Sequence, residues 1–125
     1  MDSNTQEKNL KIQLTNEPPQ NVHDLLKQIF WKKPRMVYHA KDFLDHIKEW
    51  GKTESPYRSD EWKNYCTRKG LTQSQYHNML KRLKRAGMIK KVYNKNRRTH
   101  EIYISEKFSD LTHVMLSIWD RYMRR

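Results

Sequence analysis

The sequence predicts a mainly α-helical chain with one small β-hairpin, and three observations lead there. Apolar residues recur at helical spacing in five segments. Alternation is confined to a short stretch around Ile102 and Ile104. Glycine or proline stands between most of the segments. A length of 125 residues suits one domain with one core. With 35% apolar and 32% charged residues, that core is lean, and four Trp and seven Tyr supply much of it. Helices carrying one apolar stripe fit such a composition better than a large buried sheet.

The elements follow in order. Residues 1–20 are polar, carry Pro18 and Pro19, and show only Leu10, Ile12 and Leu14 in alternation, so a flexible arm is expected. Asn21 is placed to cap a helix whose apolar positions are Val22, Leu25, Leu26, Ile29 and Phe30, running to about Lys32 before Pro34. Ala40, Phe43, Leu44, Ile47 and Trp50 describe a second helix from about Val37 to Gly51. The stretch GKTESPYRS reads as a connecting loop. Ser59 is expected to cap a third helix, with Asp60 and Glu61 in its first turn, Trp62 and Tyr65 or Cys66 facing inward, and a stop near Gly70.

Thr72 then opens a T-x-x-Q capping box with Gln75. The helix that follows, about residues 72–86, has Tyr76, Leu80 and Leu83 on its buried face and closes at Gly87. Met88, Ile89, Val92 and Tyr93 suggest a strand, Asn94 to Arg98 a turn, and Ile102 and Ile104 a returning strand.

Charge is distributed very unevenly. Between Trp62 and His100 lie Lys63, Arg68, Lys69, Lys81, Arg82, Lys84, Arg85, Lys90, Lys91, Lys95, Arg97 and Arg98, with no Asp or Glu. Outside that window the chain is neutral, so nearly the whole net charge of +12 belongs to one segment. Self-repulsion of such a block destabilises the fold unless an anionic partner neutralises it.

The segment GLTQSQYHNMLKRLKRAGMIKKVYNKNRRTHEIYIS resembles the second half of the winged helix-turn-helix superfamily of small bacterial and archaeal-type regulators. The match covers about a third of the chain. Leu71 corresponds to the turn residue, Ala86-Gly87-Met88-Ile89 to the exit from the recognition helix, and residues 93–100 to the wing. Tyr76 is larger than the aliphatic residue usual there, and two helices precede the bracing one where the family often has one. The resemblance implies a winged helix-turn-helix over residues 21–105, with extra N-terminal helices and a C-terminal amphipathic helix. It also implies binding of double-stranded DNA as a sequence-specific transcriptional regulator.

With the apolar face inward, Gln75, Asn78 and Arg82 are expected nearest base edges. A capping-box role for Gln75 conflicts with base reading. Ser74, Lys81 and Arg85 are cast as phosphate contacts, and Lys95, Arg97 and Arg98 as wing contacts to the backbone or minor groove.

Residues 106–125 form a last helix in which Phe108, Leu111, Met115, Ile118 and Tyr122 are spaced 3, 4, 3, 4, widened by Val114, Trp119 and Met123. A homodimer through this stripe, including Trp119, is expected.

The sequence contains no Gly-rich phosphate loop, H-E-x-x-H or CxxC, and no acid in the basic window to hold a nuclease metal, so neither an enzyme nor a cofactor is expected. Asp42 and His46, with Asp45 and Glu49 nearby, read as a salt-bridged helix face rather than a metal site, and single Cys66 as a buried thiol. Trp31, Tyr38 and Trp50 read as core. No apolar run reaches membrane-spanning length and MDSNTQEKN lacks a signal-peptide core, so a cytoplasmic, nucleoid-associated protein is expected. A replication, plasmid-partition or chromatin protein could use the same surfaces. A winged-helix protein-interaction module would instead meet an acidic partner. RNA is disfavoured because, of the aromatic residues, only Tyr93 sits among the basic positions.

Overall fold

A computed structural model describes residues 18–53 and 55–125, so the arm expected over residues 1–20 lies outside the described residues except at its end. Helix α1 (Val22–Ile29) begins where Asn21 Oδ1 accepts the Asp24 backbone N–H at 2.8 Å, and it buries Leu26 and Ile29. It stops three residues short of Lys32. There the chain tightens into turns through Lys33 N–H to Phe30 O, 2.9 Å, and Met36 N–H to Lys33 O, 2.9 Å, while Phe30 is drawn into the core. Helix α2 (Met36–Trp50) buries Met36, Val37, Ala40, Phe43 and Ile47. Tyr38, expected in the core, falls on the opposite face and is 71% exposed, its ring resting on His23.

The supposed loop after Gly51 contains a strand, β1 (Tyr57–Arg58), which pairs antiparallel with the later strand through Tyr57 opposite Ile102 and Arg58 opposite Glu101. Two residues are too few to show alternation, which explains why the sequence pattern missed it. Ser59 does not cap a helix. Ser59–Glu61 form one 3-10 turn, and α3 (Trp62–Lys69) follows without a side-chain cap, burying Tyr65 and Cys66. Gly70 ends it at φ 67, the left-handed region that glycine enters without strain, and its N–H donates to Cys66 O.

Three residues separate α3 from α4 (Gln73–Ala86). The capping box forms fully. Thr72 Oγ1 accepts the Gln75 N–H at 3.1 Å and Gln75 Oε1 accepts the Thr72 N–H at 3.0 Å. Tyr76, Met79, Leu83 and Ala86 are the buried stripe, while Leu80 is only part-buried. The expected stripe thus omitted Met79 and Ala86, because the core lies slightly to one side of the Tyr76–Leu80–Leu83 line.

Strands β2 (Ile89–Asn94) and β3 (Thr99–Ile104) form the expected hairpin, but β1 joins its far side, so the sheet has three strands in the order β1-β3-β2. Helix α5 (Lys107–Met123) leaves from the sheet, and its start is fastened to the exit of α4. The Phe108 N–H donates to Gly87 O, and the Ser105 N–H to Met88 O, both at 2.9 Å.

The core gathers around one ring. Phe43 of α2 meets Tyr57, Tyr65 and Tyr76 edge-on with centroids 5.4, 5.4 and 5.8 Å away, joining β1, α3 and α4. The Tyr57 and Tyr76 hydroxyls bond each other at 2.7 Å, and Tyr65 donates to Asp42 Oδ2 at 2.7 Å. Burial pushes all three phenols up, Tyr57 to about 12. Burial alone would raise the Asp42 carboxyl, but the bonds from Tyr65 and Lys69 outweigh it and hold the group below its usual range.

His46 sits beside this cluster, against Trp50, Tyr57 and Tyr65, with Nε2 buried and unpaired. Burial lowers its proton affinity, Arg68 and Lys69 lower it further, and Asp42 and Glu61 oppose them. The unfolded chain therefore takes up this proton near pH 6.5 while the folded chain resists until lower pH, so stability falls as pH drops below that value. Urea midpoints should decrease from pH 7 to pH 5.5, and His46→Gln should flatten that slope.

A Cβ at Gly87 would lie 3.0 Å from the Phe108 nitrogen and 3.2 Å from Lys107 Cβ, at φ 82. Gly87→Ala should cost about 1–3 kcal/mol in urea unfolding, through left-handed strain together with displacement of α5.

Candidate nucleic-acid interface

Opposite the buried stripe of α4 runs a second stripe, Ser74, Asn78, Lys81 and Arg85, spaced 4, 3, 4 and exposed. At 100° per residue it faces away from Tyr76, Met79, Leu83 and Ala86, and the helix has no acid anywhere along it. The capping box leaves the N-terminal turn of α4 ordered, and Gly87 fixes where its last cation, Arg85, stands.

Two residues expected at base edges are committed elsewhere. The guanidinium of Arg82 turns sideways, donates through Nη1 to Ile29 O at 2.9 Å and lies over the Phe30 ring at 5.8 Å, so it clamps α1 to α4. Gln75 spends its carbonyl oxygen on the Thr72 N–H, and a bidentate pairing with adenine needs both amide atoms. The reason is tertiary for Arg82 and local for Gln75. Arg82 lies on the flank next to α1, and Gln75 stands at the third position of the helix. Asn78 remains exposed, with no hydrogen bond among the described residues.

Beside α4 a groove of about 280 Å³ separates the helix from the sheet. Leu80, Ile89 and Ile102 form its floor, and His77, Lys81, Lys84 and Lys91 its rim. His77, Lys81 and Lys84 project from one side of α4 at spacing 4 and 3, while Lys91 comes from β2, opposite Ile102 in the register. His77, Lys84 and Lys91 were not singled out from sequence. Lys84 and Lys91 stood in the basic window, but only the pairing of β2 with β3 tells which strand residues turn toward the helix.

The β2–β3 turn is built by Asn94. Its Oδ1 accepts the backbone N–H groups of Asn96 and Arg97 at 3.0 and 3.2 Å, and its Nδ2 donates to Glu101 Oε2 at 3.0 Å. Lys95, Arg97 and Arg98 are thereby left exposed at the tip. Arg98 adopts φ 53, a left-handed conformation that costs a non-glycine residue about 1 kcal/mol. Glu101, the hairpin's one acid, is 5% exposed, and hydrogen bonds from the Tyr103 hydroxyl and from Asn94 hold its carboxyl below the usual range. Arg97 also lies within electrostatic reach of Glu101, but none of Lys95, Arg97 and Arg98 forms an ion pair among the described residues.

Of the twelve cations between Trp62 and His100, only Lys69 forms an ion pair among the described residues, with Asp42 at 3.3 Å. On the acidic side of the comparison, Asp45 pairs with Lys41 and Glu49 with Lys52. The described residues hold no cluster of three potential metal ligands. No described helix is long and apolar enough to cross a membrane.

The two fates of the α4 side chains are separable by experiment. Arg82→Ala should lower unfolding stability by about 1–2 kcal/mol, through the lost bond to Ile29 and lost packing on Phe30. Asn78→Ala should change it by less than about 0.5 kcal/mol.

No curated protein and no solved structure matches the chain. A family model does, over residues 18–123, from the segment before α1 to the last residue of α5. With most of its length covered, the chain belongs to this archaeal family.

Proposed function

We propose that the chain binds double-stranded DNA as a sequence-specific transcriptional regulator. Helix α4 lies in the major groove, and the β2–β3 turn lies on the backbone or in the minor groove. The observation that carries this reading is the groove between α4 and the sheet, whose rim of Lys81, Lys84, Lys91 and His77 contains no acid. A phosphate backbone passing between a helix in one groove and a hairpin in the next needs such a cationic channel.

Three further features support it. The run α2, β1, α3, α4, β2 and β3, with strands arranged β1-β3-β2, supports the reading, since a winged helix-turn-helix calls for helix, strand, helix, helix and hairpin in that order. The outward stripe of α4 offers Asn78 to base edges and Ser74, Lys81 and Arg85 to phosphates. Arg98 holds a strained backbone position where glycine or asparagine would be more stable, which is intelligible if its charge has work at the hairpin tip. Competing membership of a protein scaffold would leave the unpaired cations of α4, the groove and the tip without a common purpose.

About six cations meeting phosphates predict a slope of log affinity against log salt of roughly −5. Fluorescence anisotropy of a labelled duplex at several salt concentrations measures it. Lys84→Ala and Lys91→Ala should each make the slope shallower by about 1 without altering sequence preference, whereas Asn78→Ala should relax the preference and leave the slope unchanged. Affinity that ignores salt would overturn the reading.

A further inference from the structure

We propose that α5 pairs antiparallel with α5 of a second copy of this chain. The helix buries none of its 17 residues. Phe108, expected on the dimer stripe, is part-buried against its own core and belongs to the anchoring turn. Past that turn Leu111, Met115, Ile118, Trp119 and Tyr122 are 45, 59, 58, 59 and 72% exposed, on one side of the helix. A helix of this length is marginal alone in water, and an apolar side this wide calls for a cover. These five with Val114 offer about 100 Å² each, so two copies would bury roughly 1,200 Å² in total, the lower end of stable interfaces.

Charge selects the occupant and its direction. Glu106, Lys107 and Asp110 stand at the start of α5, a net charge of −1, and Asp120, Arg121, Arg124 and Arg125 at its end, a net charge of +2, with Arg124 3.7 Å from Asp120. Parallel pairing would bring two ends of net charge +2 together. Antiparallel pairing sets each arginine-rich end beside the partner's Glu106 and Asp110 and opposes the two helix dipoles. The 3, 4, 3, 4 spacing then lays Leu111 on Tyr122 and Met115 on Ile118 of the other copy. The same surface meets itself, as a two-fold dimer requires. Such a pair is a rod about 25 Å long with a domain at each end. This last consequence rests on the DNA reading: it sets two α4 helices apart, toward major grooves about 34 Å from each other.

Light scattering of the full chain without DNA, at tens of micromolar, should return twice the 15.4 kDa chain mass. Ile118→Glu should return the single mass with an unchanged circular dichroism spectrum, because Ile118 is 58% exposed and outside the core. A single mass for the unaltered chain overturns the pairing, whatever the chain does with DNA. For direction, oxidation of mixed Leu111→Cys and Tyr122→Cys chains should give covalent dimers containing one of each, with Cys66 buried and out of reach. Covalent dimers formed by Leu111→Cys alone overturn the antiparallel arrangement.

Discussion

The structure depends on the contact of Phe43 with three tyrosines. Its ring joins α2 to β1, α3 and α4, and each partner is a phenol that must both pack and find a hydrogen bond. Tyr57 and Tyr76 solve this with each other, Tyr65 with Asp42. An unpaired buried hydroxyl would cost about 1–3 kcal/mol, so the register of β1 and the rotation of α4 about its axis are coupled through one bond. Tyr76 is larger than a helix packed only on aliphatic neighbours needs. The hydrogen bond between its hydroxyl and that of Tyr57 on the strand explains the size.

Fixing the rotation of α4 decides which cations are structural and which are free. With Tyr76, Met79, Leu83 and Ala86 inward, Arg82 is carried toward α1 and becomes a clamp, while Arg85 points to solvent and Lys81 and Lys84 line the groove. Adjacent residues of one basic run thus have different roles. Low local dielectric favours the charge-assisted bond of Arg82 to a part-buried carbonyl, whereas the outward lysines keep their water. The hairpin divides its polar groups in the same manner. Asn94, Tyr103 and Glu101 satisfy one another, and Lys95, Arg97 and Arg98 remain outside.

Gly87 links this arrangement to α5. The close approach of Lys107 and Phe108 to its α-carbon ties the end of α4 to the start of the last helix, so the direction of α5 is set relative to the outward stripe of α4. A partner held on α5 would therefore be held in a defined relation to the proposed DNA-binding surface.

Features that depend on neighbours a few residues apart are legible along the chain. The Asn21 cap, the Thr72–Gln75 capping box, the glycine stops at Gly70 and Gly87, the β2–β3 hairpin and the uneven charge are all local patterns, and backbone sterics and short hydrogen bonds enforce them. Other features depend on residues far apart in the chain and emerge only on packing. Tyr57 is a strand because β3 offers it an edge some 45 positions later, opposite Ile102. Met79 is core and Tyr38 is surface because the direction of the common interior, not periodicity alone, selects a face. Arg82 is a clamp because Ile29 happens to end its helix within reach, and Lys84 and Lys91 share a groove because a sheet folds back beside a helix. Spacing along the chain names the side chains on one face, but only packing between elements says what that face meets.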